Sequence, residues 1–185
     1  RAHKRNVEKG NELEEALKGT DRDKTIQAYY NYALEADEEE ATELYKEMLE
    51  KFPKDLACSR AFITLIEEEG RYNFEALLTY SQQFDKKTQA YLLARSWNKI
   101  RKFSPDIQKK YLIELINKEY VHAELFSVYK QLQSLAFKLK LAKFDIQIGT
   151  LRDKSFEAFK AQVALENKRS PGKKRNKKKS NKKGK

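Results

Sequence analysis

Residues 37–53 read DEEEATELYKEMLEKFP, and this stretch decides the fold class. Asp37 is a good helix N-cap, with Glu40 three residues on in capping-box fashion. Ala41, Leu44, Tyr45, Met48, Leu49 and Phe52 recur at helical spacing as one apolar stripe. Pro53 stops the helix, because the residue before a proline is steered away from helical geometry.

The same signs repeat on either side. Residues 4–18 carry Val7, Leu13, Ala16 and Leu17 on a thin stripe weakened by Gly10, so residues 1–20 are expected to form a weak helix or a linker. Asp21 and Asp23 suit the positive end of a second helix, with Ile26, Tyr29, Tyr30, Ala33 and Leu34 on its apolar face. After Pro53, Lys54 or Asp55 opens a helix through Phe62, Ile63, Leu65 and Ile66, with Gly70 as its expected C-terminal cap. Phe74, Leu77 and Leu78 mark a shorter helix. Asp85 caps the next one, which carries Tyr91, Leu92, Trp97 and Ile100. Ser104-Pro105-Asp106 is a strong helix start: a capping hydroxyl, a first-turn proline and an acid near the dipole.

Residues 135–148 admit two readings. Leu132, Leu135, Ala136, Leu139 and Ala142 fit a helix face, whereas Phe137, Leu139, Leu141, Phe144, Ile146 and Ile148 alternate as in a hairpin turning at Ala142-Lys143. No Gly or Asn marks such a turn, which favours helix. Gly149-Thr150 is expected to break it, and a last helix to span about residues 153–167 with Phe156, Phe159 and Val163. Only six glycines and three prolines punctuate 185 residues, which agrees with helices and short links. The expected class is all-α: antiparallel hairpins stacked as a solenoid, or alternatively closed into a bundle. The helical domain is read as residues 21–165.

Tyr32-Ala33-Leu34-Glu35 followed by Ala41, Tyr45 and Pro53 resembles a tetratricopeptide or half-a-tetratricopeptide repeat over residues 32–53. In those repeats a small residue opens the second helix, an aromatic follows and a proline closes it. The resemblance implies a platform for a protein partner or for RNA processing, without chemistry of its own.

Charge is segregated. Residues 1–85 hold 12 Lys/Arg against 20 Asp/Glu, residues 86–165 hold 16 against 7, and residues 166–185 hold 11 against 1. The last stretch contains no aliphatic or aromatic side chain to bury, so it is expected to be a disordered tail. Its Lys168, Arg169, Lys173, Lys174, Arg175, Lys177, Lys178, Lys179, Lys182, Lys183 and Lys185 suit phosphates, whose counterions they would release. They also suit a nuclear localisation signal around Lys173-Lys174-Arg175 and Lys177-Lys178-Lys179. A second basic stretch comprises Lys86, Lys87, Arg95, Lys99, Arg101, Lys102, Lys109 and Lys110. Arg95, Lys99 and Lys102 share a helix face by spacing, and Tyr91, Trp97 and Phe103 fall between the charges as stacking aromatics or as core. The expected partners are a protein and RNA or another polyanion. A membrane surface fits less well, for no apolar or lipidated anchor flanks the basic run.

No catalytic or cofactor pattern emerges. His3 and His122 lie far apart in sequence, the glycines are scattered, and no Cys/His cluster has metal-ligand spacing. The acidic runs Asp37–Glu40 and Glu67–Glu69 lack the ligand spacing of a calcium loop. The single cysteine, Cys58, permits no disulfide within the chain, which fits a reducing nuclear or cytoplasmic setting. A first residue of arginine is what a fragment or processed form would show, and no signal-peptide pattern is evident at the front. The expected role is a non-catalytic scaffold whose basic end holds RNA. The rival is a protein-only or cochaperone-like module whose basic end is an address label.

Overall fold

A computed structural model describes residues 2–68 and 71–169 of the chain. The described residues are all-α apart from a minimal ladder in which Glu67–Glu68 pairs antiparallel with Arg71–Tyr72. Gly70, expected as a helix cap, and the basic residues from Ser170 to Lys185 lie outside the described residues. The chain divides between Gln83 and Phe84 into two compact units. That boundary falls inside the 21–165 span read from the sequence as one domain. It also falls close to the reversal of charge: residues 1–83 hold 12 basic against 19 acidic side chains, and residues 84–185 hold 27 against 9.

The first unit contains α1 (Ala2–Lys18), α2 (Arg22–Glu35), α3 (Glu38–Lys51), a 3-10 turn (Leu56–Cys58), α4 (Ser59–Leu65) and α5 (Phe74–Ser81). Successive helices pack in order, α1 on α2, α2 on α3 and α3 on α4. Leu13 and Ala16 tie α1 to a core of Ile26, Tyr29, Tyr30, Ala33, Leu44, Met48, Cys58 and Ala61. Gly10 does not break α1 and faces the Tyr32 ring of α2, where a Cβ would make an ordinary contact at 3.4 Å. The Thr25 hydroxyl donates to the Ala16 carbonyl at 3.2 Å across the same seam.

Caps set the helix starts. Asp21, Asp37, Asn73 and Asp85 each accept from a backbone N–H three residues on. The reciprocal half of the Asp37–Glu40 box is replaced, since the Glu40 carboxylate accepts from the Tyr32 hydroxyl of α2. Asp55 opens the 3-10 turn through the Ala57 N–H at 2.9 Å and takes the Arg22 guanidinium on both oxygens. That guanidinium is the main reason its carboxyl sits below the usual carboxylate range. The Tyr30 hydroxyl donates to the Ala57 carbonyl at 2.7 Å and accepts from the Ala61 N–H at 3.3 Å, which satisfies two groups at the entry to α4. Leu34, expected on the apolar face of α2, is 76% exposed.

The second unit contains α6 (Lys86–Ile100), α7 (Pro105–Asn117), α8 (Leu125–Ala136), a 3-10 turn (Ala142–Phe144) and α9 (Asp145–Arg169). Helix α6 packs against α7 and α8, and α9 packs against α7 and α8. Leu92, Leu93, Ile100, Tyr111, Leu112, Leu115, Leu125, Tyr129, Leu132 and Ile148 are fully buried among them. Buried tyrosines take up backbone carbonyls: Tyr111 donates to Leu93 at 2.7 Å and Tyr129 to Tyr120 at 2.5 Å.

Residues 135–148 form neither the continuous helix favoured from sequence nor a β-hairpin. Helix α8 ends at Ala136, the chain turns with Lys140 at φ 56°, and the 3-10 turn leads into α9. The Leu141 N–H bonds to the Ala136 carbonyl (2.8 Å) and the Lys140 N–H to the Phe137 carbonyl (3.1 Å). These are the paired bonds of a Schellman cap with lysine in the position glycine usually takes. The period-two alternation reports Leu139 and Leu141 turned inward from this connector. The break expected at Gly149-Thr150 does not occur, because packing on α8 carries α9 through it. Helix α9 also continues through residues 166–169, which were read as the start of the tail.

Glu119 ends α7 in the same way, at φ 50°, with the Tyr120 N–H on the Leu115 carbonyl and the Glu119 N–H on the Ile116 carbonyl, both at 3.1 Å. Left-handed backbone at a non-glycine residue costs roughly 1–2 kcal/mol. Glu119→Gly is therefore expected to raise stability by about 0.5–1 kcal/mol, read as a higher urea midpoint with an unchanged m-value.

Candidate polyanion surface

The basic residues of the second unit are placed by how its helices run. Along α6 and α8 the cross-links advance together: Arg95 pairs with Glu124 at 3.1 Å, and the Trp97 indole N–H donates to Gln131 Oε1 at 2.8 Å. The two helices are therefore parallel. Helix α7 returns along α6, with Tyr111 bonded to Leu93 and its ring 5.3 Å from that of Trp97. Helix α9 returns along α8, since Phe126 meets Phe156 and Phe159 while Gln133 meets Arg152 and Asp145. Consequently the α6–α7 connector and the α8–α9 connector emerge at the same end of the unit.

That end gathers Arg101 and Lys102 from the first connector and Lys109 and Lys110 from the opening turns of α7. Lys138, Lys140 and Lys143 of the second connector join them, outside the basic stretches that stand out in the sequence. All are exposed except Lys109, which is half-buried. Among the described residues none of the seven has an ion-pair partner. The Gln108 side chain donates to the Arg101 and Phe103 carbonyls at 3.0 and 3.2 Å, which fixes the first connector. Phe137 and Ile146 stand out beside these lysines, 82% and 84% exposed.

Lys86 and Lys87 lie at the opposite end of α6, about 20 Å away at 1.5 Å per residue. They sit in the first turn, where positive charge opposes the helix dipole. The Asp85 carboxylate offsets them and is held below the usual carboxylate range, chiefly by the Thr88 hydroxyl and its N–H. Lys168 and Arg169 occupy the last turn of α9, whose 25 residues carry it well beyond the 12 of α8. The residues predicted as one surface are thus split between two ends of the unit. Lys173, Lys174, Arg175, Lys177, Lys178, Lys179, Lys182, Lys183 and Lys185 lie outside the described residues.

The Arg95, Lys99 and Lys102 face is also altered. Helix α6 ends at Ile100, so Lys102 belongs to the connector. Arg95 is engaged by Glu124 and by the Tyr91 hydroxyl at 3.2 Å. Lys99 is half-buried and has a partner of its own. Trp97 is only 2% exposed, bonded and stacked in the core, so it is closed to a nucleic-acid base. Phe137 is the most exposed aromatic of the described residues in the unit at 82%, ahead of Phe159 and Phe156 on α9 at 42% and 38%.

The first unit offers a different chemistry. A cleft of about 670 Å³ between α1 and α2 is lined by Glu8, Asn11, Glu12, Glu15, Gln27 and Asn31 with Lys24. A second, of about 390 Å³, lies between α2 and α3 beside Tyr32, Glu40, Glu43, Glu47 and Glu50. Carboxylates and amides in such clefts suit a basic peptide rather than phosphate. Among the described residues no group of three or more His, Cys, Asp or Glu side chains is arranged to hold a metal ion. None of the described helices is long and apolar enough to cross a membrane. Cys58 is fully buried, and burial pushes its thiol up to about 11, away from nucleophilic thiolate chemistry.

His122 stands where α6, α8 and α9 meet. Its Nδ1 accepts the Glu124 N–H at 3.0 Å, its ring meets Tyr91 edge-on at 5.7 Å, and its backbone N–H donates to Ser155 Oγ at 3.4 Å. Desolvation is the main cause that lowers its pKa; Lys87 adds to this and Glu124 opposes it. No family profile, curated protein or solved structure matches this chain.

The histidine gives a pH dependence with a definite sign. Between the depressed folded pKa and the ordinary value of about 6.5, the unfolded chain binds more protons than the folded one. Its contribution is complete above that ordinary value and is lost as pH falls through the folded pKa. Urea unfolding at pH 7.5 and 5.5 is expected to show lower stability in acid, with the difference reduced in His122→Gln. An NMR titration should place the His122 midpoint below the usual imidazole value.

Proposed function

We propose that this chain is a non-catalytic helical-repeat scaffold that binds a protein partner and holds RNA or another polyanion through its basic end. The observation that carries the reading is the cluster of seven cations at the connector end of the second unit, six exposed and Lys109 half-buried, none with an ion-pair partner among the described residues. Together these side chains raise the local anion concentration and release counterions from a phosphate backbone. Arg101 is the one arginine among them, so phosphates would be held mainly by lysine point charges, with little reading of sequence.

The stacked-hairpin arrangement belongs to the same proposal. In the second unit α6–α7 and α8–α9 form hairpins, and their first helices pack together as do their second helices, the pattern of repeats laid side by side. In the first unit Tyr45, the aromatic of the repeat-like stretch, packs on Tyr30 of α2 with ring centroids 6.0 Å apart. The acidic clefts of that unit supply the surface for a basic protein segment. The stretch from Lys168 onward, read as a disordered tail, would add a sequence-blind electrostatic hold on the same polyanion. If it is instead only a nuclear address, the scaffold works through protein contacts alone.

The test is RNA affinity against salt for the whole chain, a chain lacking residues 168–185, and Arg101→Glu/Lys102→Glu/Lys109→Glu/Lys110→Glu. Reversing four phosphate-facing charges is expected to weaken binding at least tenfold near 100 mM salt and flatten the log–log salt slope by about 3. Removing 168–185 should flatten it further. Negligible RNA affinity of the whole chain at physiological salt would leave only the protein-scaffold reading.

A further inference from the structure

We infer that the connector end of the second unit is a single-strand nucleic-acid platform, in which Phe137 stacks a base while the surrounding lysines hold the flanking phosphates. The inference rests on the polyanion reading above and adds to it a ligand class and a specific contact.

The geometry is that of an aromatic standing among cations. Phe137 follows the last residue of α8 and is 82% exposed, although water contact on a ring of this size is unfavourable. Lys138 and Lys140 lie one and three residues on, within the Schellman turn that fixes their backbone. Lys143 follows in the 3-10 turn, and Arg101 and Lys102 come from the neighbouring connector at the same end. Asp145, the first residue of α9, is a nearby acid, and Gln133 bonds it at 3.4 Å.

A bare polyanion would use the cations and leave the ring idle. A duplex would bury its bases away from the ring. A single strand uses both, because its unstacked bases offer a π-face and its phosphates lie a few ångströms on either side. A lipid surface would need a continuous apolar face, whereas here two large apolar side chains, Phe137 and Ile146, stand among lysines. Stacking tolerates any base, so the platform should show little sequence preference.

The experiment uses the whole chain and fluorescence anisotropy of a labelled twelve-nucleotide oligouridylate, with heparin as a polyanion that has no bases. Phe137→Ala should weaken oligouridylate binding by about thirtyfold, a mid-range value for loss of one stacked base, and leave heparin affinity unchanged. Phe137→Trp should retain binding, and the new indole should be quenched by the RNA. Phe137 is exposed, so both variants should keep the wild-type circular dichroism. Oligouridylate binding equal to wild type in Phe137→Ala overturns the inference, and so does an equal loss for heparin. If Phe137→Ala/Ile146→Ala instead loses binding to phosphatidylserine vesicles while its RNA affinity holds, the tip is a membrane contact and the inference fails. A wild-type chain that binds neither oligouridylate nor heparin overturns this inference and the polyanion reading together; RNA binding indifferent to Phe137 overturns this one alone.

Discussion

The parallel pairing of α6 with α8 is the constraint on which the second unit's surface depends. Trp97 makes that pairing specific. Its ring stacks on Tyr111 of α7, and its indole N–H reaches Gln131 of α8, so one side chain fixes three helices against each other. A buried indole N–H without a partner would be costly, so the register that supplies Gln131 is favoured over its neighbours. Once α6 and α8 run the same way, their connectors must leave from the same end. Cations separated by some 35 residues of chain are thereby collected on one surface.

The core and the charge pattern are largely independent. The second unit is held by buried leucines, isoleucines and tyrosines whose hydroxyls take up backbone carbonyls, while the lysines of its two connectors stand in solvent. Exposed lysines contribute little to stability, and many of like sign cost some. A surface of this kind is free to be shaped by a ligand. In the first unit acidic side chains surround the clefts between helices, and Asp55 and Glu40 are drawn into the fold through Arg22 and Tyr32.

Much of the fold was legible in the sequence, for local reasons. Aspartates before apolar stripes gave the starts of α2, α3 and α6, and Ser104-Pro105 gave the start of α7. Caps act within one turn, so their signals are short-range. The ends of α7 and α8 were not legible, because Glu119 and Lys140 occupy left-handed positions that glycine would have advertised. Gly149 misled in the opposite sense, as packing on α8 outweighed its poor helix propensity. The basic residues 86–110 are legible in the composition, and of the two roles their spacing leaves open for Trp97, stacking or core, the structure shows core.

The sequence by itself determined the all-α class, most helix starts, and the passage from an acidic front to a basic rear. These follow from periodicity, capping and charge, which are properties of neighbouring residues. Only the tertiary structure decided which cations share a surface, which aromatics remain exposed, and that Arg95 is engaged by Glu124. Those depend on contacts between residues far apart in the chain, and helix register sets them through the buried bonds of Trp97, Tyr111 and Tyr129.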